Sequence, residues 1–386
     1  MKLKYFGHSA NDIFIFILPL ILPVMLVKYE LSYTAAGSIL TLFMIILAAG
    51  SMIMGRLSDR FHRENLIGYG FFLSALGFTA AGFSTTLAAF LIIISLTAVG
   101  VSTFHPIMYA MIDDTATEGK AKILGIYETY GTTAILIMYL VNGYLLTRIG
   151  TSGVLFITAG PGFIMGFLFL KSGKTRLPVR RHVQSSNPKI AVTKKPIDPH
   201  FLLFVLSIIF RILSLSAILN FLPILFVNVM HFEPDKAAYA TAFFFAGGIP
   251  GSLLTGKLAS RWSSLHILII STSMFIPVIF LLSLQLPTML YLLVVLLFGG
   301  FGAGCVITQT VLLTKFSTGL GKGAIYGILM GALTITGSVS PMLFGISIDN
   351  FGFRISILIC LIPIVLSIVL LLYLWRNSAA AMEVST

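Results

Sequence analysis

Long apolar runs without a charged residue restrict what this chain can fold into. Tyr33–Met54 and Leu66–Phe83 are two such runs, and a short charged stretch, Gly55–Arg63, lies between them. A helix of about 20 apolar residues crosses the hydrocarbon core of a bilayer, where every backbone hydrogen bond must be made internally. The pattern therefore predicts two membrane-spanning helices joined by a charged turn.

The composition extends this interpretation to the whole chain. Of the 386 residues, 57% are hydrophobic and only 10% are charged, and the mean hydropathy is +1.01. A soluble domain carries about 25% charged residues, so this chain has too few to cover a water-facing surface. The apolar runs have the length of helices rather than of alternating barrel strands. We therefore predict an all-α polytopic membrane protein.

Charge clusters, Gly and Pro turns and polar runs divide the chain into twelve predicted spans. In the first half these are 9–28, 33–56, 65–84, 86–111, 122–147 and 151–171. In the second half they are 200–229, 236–258, 265–284, 287–314, 323–348 and 352–375. The segment between the halves is rich in Lys, Arg and Pro. We therefore predict a six-helix half at 1–171, a cytoplasmic linker at 172–199 and a second six-helix half at 200–386.

The distribution of Lys and Arg predicts the orientation. Twenty of the 25 basic residues fall on the side that holds both termini and the linker, four fall on the other side, and Arg211 lies inside a span. Basic loops stay in the cytoplasm, so we expect both termini and the linker there, in a plasma-membrane protein. The net charge of +12 follows from this bias and does not indicate nucleic-acid binding.

The chain contains none of the motifs that would indicate a catalytic or metal-dependent protein. There is no Walker-type glycine loop, no HExxH motif and no paired-cysteine ligand set. We therefore expect no enzymatic activity, no cofactor and no metal ion. The expected partners are the lipid bilayer and a small-molecule substrate, with no nucleic acid, and the expected state is a monomer.

An internal repeat relates the two halves. GRLSDRF at Gly55–Phe61 recurs as GKLASRW at Gly256–Trp262, 201 residues later, and Gly150 matches Gly352 at an offset of 202. Two six-helix halves with the same internal order are parallel repeats about an axis along the membrane normal. Transport by rocking of the two halves requires this arrangement, whereas a channel or a membrane enzyme does not.

The two-half plan, with its G-x-L-x-D-R-x-x-R turn after span two, resembles the major facilitator superfamily over essentially the whole chain. The resemblance implies a twelve-helix bundle in two pseudo-symmetric halves around a central cavity. It also implies a carrier that works by alternating access. In the second copy of the turn, Ser260 stands where the family has an aspartate.

Three shorter stretches resemble the fosmidomycin-resistance-type branch of drug efflux carriers. They are H-x-x-N-D in span one (His8, Asn11, Asp12), Phe104-His105-Pro106 in span four, and an Arg followed by FLP in span seven (Arg211, Phe221-Leu222-Pro223). The resemblance implies proton-coupled efflux of a small amphiphilic or anionic compound. In this chain Ile107 stands where the branch often has a glutamate after FHP.

Ionisable residues inside the spans are the first candidates for chemistry, because a charge at the bilayer centre costs roughly 2.5 to well over 10 kcal/mol. Arg211 offers a permanently charged, bidentate anchor for an anionic or polar substrate group; the alternative is a structural pair with a buried acid. Glu128 in span five is the first candidate for a proton carrier. Alternatively, it is an interfacial side chain near the cytoplasmic rim.

Asp12 and His105 are further candidates. Asp12 is either a second protonatable group or a cap of span one, where the helix dipole favours a carboxylate. Histidine changes charge near physiological pH, so His105 is a candidate for binding protons or substrate. Alternatively, it satisfies carbonyls that Pro106 leaves free. The predicted substrate-binding or proton-coupling set is completed by four polar residues: Asn11, Tyr127, Asn220 and Gln309.

The charged turn after span two is predicted to act as a conformational gate on the cytoplasmic side. Its members are Gly55, Asp59, Arg60, Arg63 and, at the end of span four, Asp113. The glycine would allow close helix approach, and Asp59 is expected to interact with the positive N-terminal end of span eleven. The two arginines are expected to pair with Asp113 or its acidic neighbours. The gate would close the cytoplasmic side when the carrier opens outward.

The sequence therefore predicts a secondary active transporter that works by alternating access and exports a small amphiphilic or anionic compound, with the proton gradient as its energy source. One alternative is a proton-coupled symporter that imports an organic anion, a sugar or a peptide. Another is a transport-inactive receptor or a channel, but the two-half repeat argues against both.

Overall fold

The computed structural model describes residues 2–115, 120–175, 199–259, 261–316 and 322–383. In these residues the regular structure consists of thirteen helices. Their bounds are α1 Lys2–Lys28, α2 Tyr33–Leu57, α3 Arg63–Gly82, α4 Leu87–Val101, α5 Phe104–Thr115, α6 Lys120–Thr175, α7 Pro199–Asn228, α8 Pro234–Ala259, α9 Ser264–Ser273, α10 Phe275–Leu282, α11 Thr288–Phe316, α12 Lys322–Ile359 and α13 Leu361–Glu383.

Within the described ranges, ten segments are long and apolar enough to cross a membrane. Two of them, Ile126–Gly173 and Thr334–Asn377, are 48 and 44 residues long, whereas one crossing needs about 20. Each is interrupted by a glycine with a non-helical conformation, Gly150 (φ 67°) or Gly352 (φ 74°). Each therefore accounts for two crossings. The twelve-span, all-α fold predicted from the sequence is confirmed.

The backbone shows the same internal repeat as the sequence. Among the described residues, two glycines and two other residues have positive φ angles. Glu30 (φ 50°) and His231 (φ 56°) each follow the first span of their half, and Gly150 and Gly352 each divide a long helix. Positive φ is uncommon outside glycine, so its recurrence at matched positions reflects a shared chain path.

Helix starts follow the local sequence in the short turns. The hydroxyl of Ser32 accepts a hydrogen bond from the backbone N–H of Ala35 at the start of α2, and Thr86 does the same for Ala89 at the start of α4. These are ordinary N-caps. The start of α1 differs from the expectation, because the helix begins at Lys2. Asp12 therefore lies well inside α1, and its interpretation as a cap of span one is wrong.

The chain groups into two compact units. The first comprises Met1–Val179 with Asn220–Phe245, and the second comprises Arg180–Leu219 with Ala246–Thr386. In the first unit α1 and α3 pack on α6, and α3 also packs on α4. In the second unit α9 packs on α11 and α13. The region boundaries predicted from the sequence, including the linker, stay predictions, since residues 176–198 lie outside the described ranges.

Small residues allow close helix contacts in the second unit. A Cβ atom on Gly247 of α8 would overlap the carbonyl oxygen of Leu296 on α11, and Gly251 faces Gly300 in the same way. Such small residues let membrane helices approach closely where the hydrophobic effect offers no driving force. Large apolar side chains such as Met289 remain exposed, as expected for surfaces that face lipid.

Candidate functional site

A cluster of ionisable side chains lies inside the first unit. Helix α1 contributes His8 and Asp12, which are one turn apart, and α5 contributes His105. The Nε2 atom of His8 lies 3.3 Å from one carboxylate oxygen of Asp12, and the Nε2 atom of His105 lies 3.2 Å from the other. One carboxylate therefore bridges two imidazoles. We call these three residues the His–Asp–His cluster.

Tyr127 on α6 contacts both imidazoles. Its backbone carbonyl accepts a hydrogen bond from Nδ1 of His8 at 2.7 Å, and its ring stacks on the His8 ring with centroids 3.6 Å apart. Its hydroxyl lies 3.5 Å from Nδ1 of His105. Because a carbonyl oxygen can only accept, Nδ1 of His8 carries a proton, and Nε2 is the atom turned toward Asp12. Tyr127 itself is fully buried.

The cluster is closed on one side and open on the other. The side chain of His8 is only 2% exposed, whereas Asp12 is 13% and His105 is 25% exposed. Pro106 lies in the first turn of α5, where a missing N–H costs no helical hydrogen bond. Among the described residues the ring nitrogens of His105 contact Asp12 and Tyr127, so they are not occupied in satisfying carbonyls next to Pro106.

A second carboxylate, that of Glu128, lies next to this cluster. The hydroxyl of Tyr109 donates a hydrogen bond of 3.0 Å to Oε1 of Glu128. The Tyr109 ring in turn stacks on His105, with centroids 6.1 Å apart. Glu128 is exposed, unlike the buried Tyr127 that precedes it. Glu128 is therefore exposed, and one of its carboxylate oxygens is held by a phenol.

Gly131 makes room for the cluster. This residue lies one turn beyond Tyr127 on α6, and a Cβ atom at this position would overlap Oδ2 of Asp12 and would lie 2.6 Å from Cε1 of His8. The lack of a side chain at residue 131 therefore lets α6 lie against α1 while Asp12 and His8 keep their positions. Asn11, which precedes Asp12 on α1, is also buried, and its amide nitrogen has no hydrogen-bond partner among the described residues.

The second unit contains a single buried basic centre among its described residues. Arg211 on α7 is 1% exposed, and its Nη2 atom donates a hydrogen bond to Oε1 of Gln309 on α11. Its Nη1 atom has no partner in the described part of the chain, and no described carboxylate pairs with it. The structural pair with a buried acid is therefore not found there. Asn220, further along α7, is buried in the first unit.

The charged turn contains an ion pair that is not predicted from the sequence. Asp59 and Arg63 lie 4.0 Å apart, and Asp59 is 71% exposed. Such a surface pair contributes about 0–1 kcal/mol. A Cβ atom on Gly55 would lie 3.7 Å from Pro106, an ordinary contact distance, so this arrangement does not require a glycine. Arg60 is exposed.

The remaining gate contacts lie outside the described residues. The side chain of Asp113 is not among those that the structure describes, and neither are the side chains at the start of span eleven. The predicted pairing of the turn with these groups therefore stays a prediction.

Sequence reasoning missed three members of the site. His8 was recognised as part of a motif but not as a partner of Asp12, although their i, i+4 spacing on one helix indicates contact. Tyr109 and Gly131 gave no signal, because their roles depend on how α5 and α6 pack against α1.

The chain resembles known transporters over its whole length. A family model described as Major Facilitator Superfamily matches residues 5–318 and 205–385. The MFS-type transporter YfnC of Bacillus subtilis (strain 168) is 23% identical over 358 residues, which cover 88% of this chain and 87% of that protein.

Two solved structures share the fold. One is a bacterial homologue of the human lysosomal transporter Spinster in an inward-facing and occupied conformation, with a TM-score of 0.78 at 15% identity. The other is a D-xylose-proton symporter, with a TM-score of 0.79 at 17% identity. Both matches cover 97% of this chain and 96% of the other. The chain therefore belongs to the Major Facilitator Superfamily and is a multi-pass membrane transporter, not an enzyme.

Proposed function

We propose that this transporter works by alternating access and exports a small amphiphilic or anionic compound in exchange for protons. The observation that carries the proposal is that the two units hold ionisable side chains of opposite charge. Among the described residues away from the span ends, the first unit holds the carboxylates of Asp12 and Glu128, and the second holds the guanidinium of Arg211. An acidic centre suits proton exchange, and a basic one suits an anionic substrate.

Glu128 is the proton carrier in this mechanism. A carboxylate within a membrane span is less costly when protonated, so its protonation state can follow the side of the membrane to which it is exposed. Tyr109 holds Oε1 with a hydrogen bond and leaves the other oxygen available for the proton. The bridging carboxylate of Asp12 is the second candidate, since it lies between two imidazoles.

Arg211 binds the substrate in this mechanism. Its guanidinium is buried and makes a described hydrogen bond only through Nη2, to Gln309. Leaving a buried charge uncompensated is strongly unfavourable, and a carboxylate or phosphate-like group would compensate it with two charge-assisted hydrogen bonds. The substrate class that fits is therefore a small compound with one anionic group and an apolar body.

The proposed direction rests on sequence resemblance. The H-x-x-N-D, FHP and Arg…FLP stretches resemble the fosmidomycin-resistance-type efflux branch, and we propose that the chain exports its substrate as carriers of that branch do. The rival candidate is a proton-coupled importer of an organic anion, a sugar or a peptide. The basic-residue bias supports cytoplasmic termini in a plasma-membrane protein, which we propose acts as a monomer.

Transport by the purified protein in proteoliposomes with an imposed pH gradient tests the proposal. We expect a proton gradient to drive the flux of anionic amphiphiles. Glu128→Gln should abolish the gradient dependence while substrate exchange without a gradient persists. Glu30→Gln, the same chemical change at an exposed residue between α1 and α2, should behave as the original protein.

Four outcomes would contradict the proposal. If none of the tested gradients drives flux, or if Glu128→Gln retains coupling, the proton mechanism fails. Accumulation of substrate on the side from which protons leave supports exchange, whereas accumulation on the side to which protons flow supports the importing symporter. Single-file conductance without exchange would indicate a channel.

A further inference from the structure

We propose that the His–Asp–His cluster is a binding site for a divalent transition-metal ion of the Zn²⁺ class. The ligands are Nε2 of His8, Nε2 of His105 and the carboxylate of Asp12, and one ligand atom from each residue lies within 4.8 Å of the others. From the sequence we expect no metal ion, because the ligands come from two separate helices, α1 and α5, and form no metal-binding motif. The inference does not depend on proton-coupled transport.

The ligand atoms of the cluster lie near, but not yet at, the spacing that such an ion requires. Zinc lies about 2.0–2.2 Å from nitrogen and oxygen ligands in tetrahedral sites, which places neighbouring ligand atoms about 3.4 Å apart. Nε2 of His8 lies 3.3 Å from Oδ2 of Asp12 and Nε2 of His105 lies 3.2 Å from Oδ1, so the two short separations involve different oxygens of the carboxylate. The widest separation, at most 4.8 Å, must shorten by up to roughly 1.4 Å on binding. Asp12 and His105 are partly exposed, so rotation of these two side chains can supply the movement.

The surroundings of His8 are those of a metal ligand. A metal-binding histidine usually donates its second N–H to a carboxylate or to a backbone carbonyl, which fixes the tautomer and the ring orientation. Nδ1 of His8 donates to the carbonyl of Tyr127 at 2.7 Å, and the Tyr127 ring stacks on the imidazole. Nε2 therefore presents its lone pair toward Asp12. The hydroxyl of the same tyrosine lies 3.5 Å from Nδ1 of His105.

The electrostatics of the cluster favour a cation. A neutral imidazole whose Nδ1 carries the proton has only an acceptor at Nε2, and a carboxylate has only acceptors. Inside a membrane span, contact between such an imidazole nitrogen and a carboxylate oxygen is favourable only when a positive species lies between the two atoms. That species is either a proton or a metal ion. A single divalent ion would satisfy both imidazoles and the carboxylate together.

The ligand set also selects the class of ion. Imidazole nitrogen suits Zn²⁺, Co²⁺, Ni²⁺ and Cu²⁺, whereas Mg²⁺ and Ca²⁺ prefer sets of oxygen ligands. Three protein ligands leave the fourth tetrahedral position open to water or another small ligand. A small ligand would reach the ion from the side of Asp12 and His105, because these two side chains are partly exposed whereas Tyr127 covers His8.

Direct binding measurements on the full chain, purified in detergent without a polyhistidine tag and stripped with a chelator, test the site. We expect one Zn²⁺ per chain by isothermal titration, a Co²⁺ complex with visible absorption typical of tetrahedral coordination, and no binding of Mg²⁺. Zn²⁺ should also raise the Tm, because it binds the folded state. His105→Asn and Asp12→Asn should each remove the Zn²⁺ titration signal, the visible absorption with Co²⁺ and the rise in Tm.

Two further variants separate a specific site from other effects. His231→Asn is the matched control, since this histidine lies outside the cluster and asparagine tolerates its positive φ angle. It should bind Zn²⁺ as the original chain does. Tyr127→Phe removes only the hydroxyl near His105 and should weaken Zn²⁺ binding roughly tenfold. Size-exclusion elution and circular dichroism establish that each variant is folded.

The site would be overturned if the original chain binds no Zn²⁺, or if folded His105→Asn binds it unchanged. Loss of binding in His231→Asn would place the ion elsewhere and would equally overturn it. Failure of gradient-driven transport in proteoliposomes would contradict the proposed function, but it would leave these binding results intact.

Discussion

Replacing Gly131 by alanine is the sharpest test of how α6 positions the His–Asp–His cluster. The added methyl group would overlap Oδ2 of Asp12 and press on the ring of His8. Because the Asp12 oxygen is the end of a rotatable side chain, we expect the carboxylate to turn away. It would then lose its contacts of 3.3 and 3.2 Å to the two imidazoles.

The magnitude follows from two opposing effects. Overpacking of a filled interior costs about 1–3 kcal/mol, whereas alanine in a helix is favoured over glycine by about 0.5–1 kcal/mol. Gly160 provides the matched control, because it is also a helical glycine of α6, in the segment after Gly150, and a Cβ atom there would meet nothing within 4 Å. Gly160→Ala should gain the same helix propensity without a steric overlap. The difference between the two variants should therefore be about 1–3 kcal/mol.

Unfolding in mixed detergent micelles measures this difference, and Zn²⁺ titration and gradient-driven flux measure its functional effect. We expect Gly131→Ala to be less stable than Gly160→Ala and to bind Zn²⁺ more weakly than the original chain. If the two alanine variants are equally stable and bind Zn²⁺ equally, the close approach of α6 to Asp12 plays no part in forming the cluster. The reasoning from packing would then be refuted.

Two further predictions concern the gate and the basic centre. Asp59→Asn should slow transport by roughly two- to fivefold with little change in substrate affinity, because it would remove the predicted interaction with a helix N-terminus, which is worth about 0.3–1 kcal/mol. Initial rates over a range of substrate concentrations measure this, and a loss of affinity alone would contradict the gate. Arg211→Gln should weaken the binding of anionic ligands by about 1.5–3 kcal/mol, which is roughly tenfold to a hundredfold in affinity. A smaller rise in Tm on adding these ligands measures the loss. Arg148→Gln, a change at an exposed arginine stacked on Tyr144, should leave the binding intact.

The spans were predictable because lipid imposes a simple rule on sequence. Each predicted crossing has a helical counterpart, since apolar length and charged turns are sufficient to locate a helix in a bilayer. The start of α1 was misplaced because the prediction followed hydrophobicity, whereas the helix continues through the polar residues up to Lys2. Backbone hydrogen bonding does not end where the apolar run ends.

The site was predictable only at the level of residue type. Asp12, His105 and Glu128 drew attention because a charge inside a span is costly, and Arg211 did so for the same reason. Their partners depend on tertiary packing, which a single sequence does not specify. The hydrogen bond from Tyr109 to Glu128 joins α5 to α6, and the contact between His105 and Asp12 joins α5 to α1.

The double contact of Tyr127 ties the occupancy of the cluster to the arrangement of three helices. Its backbone carbonyl on α6 orients His8 on α1, and its hydroxyl lies near His105 on α5. A sliding movement of α6 within the first unit would therefore disturb both imidazoles at once. By thermodynamic linkage, if one arrangement of these helices binds a cation more tightly than another, the bound cation shifts the equilibrium toward that arrangement by the ratio of the two affinities. Through Tyr127, cation binding at the Asp12 carboxylate would thus be coupled to the packing of α1, α5 and α6.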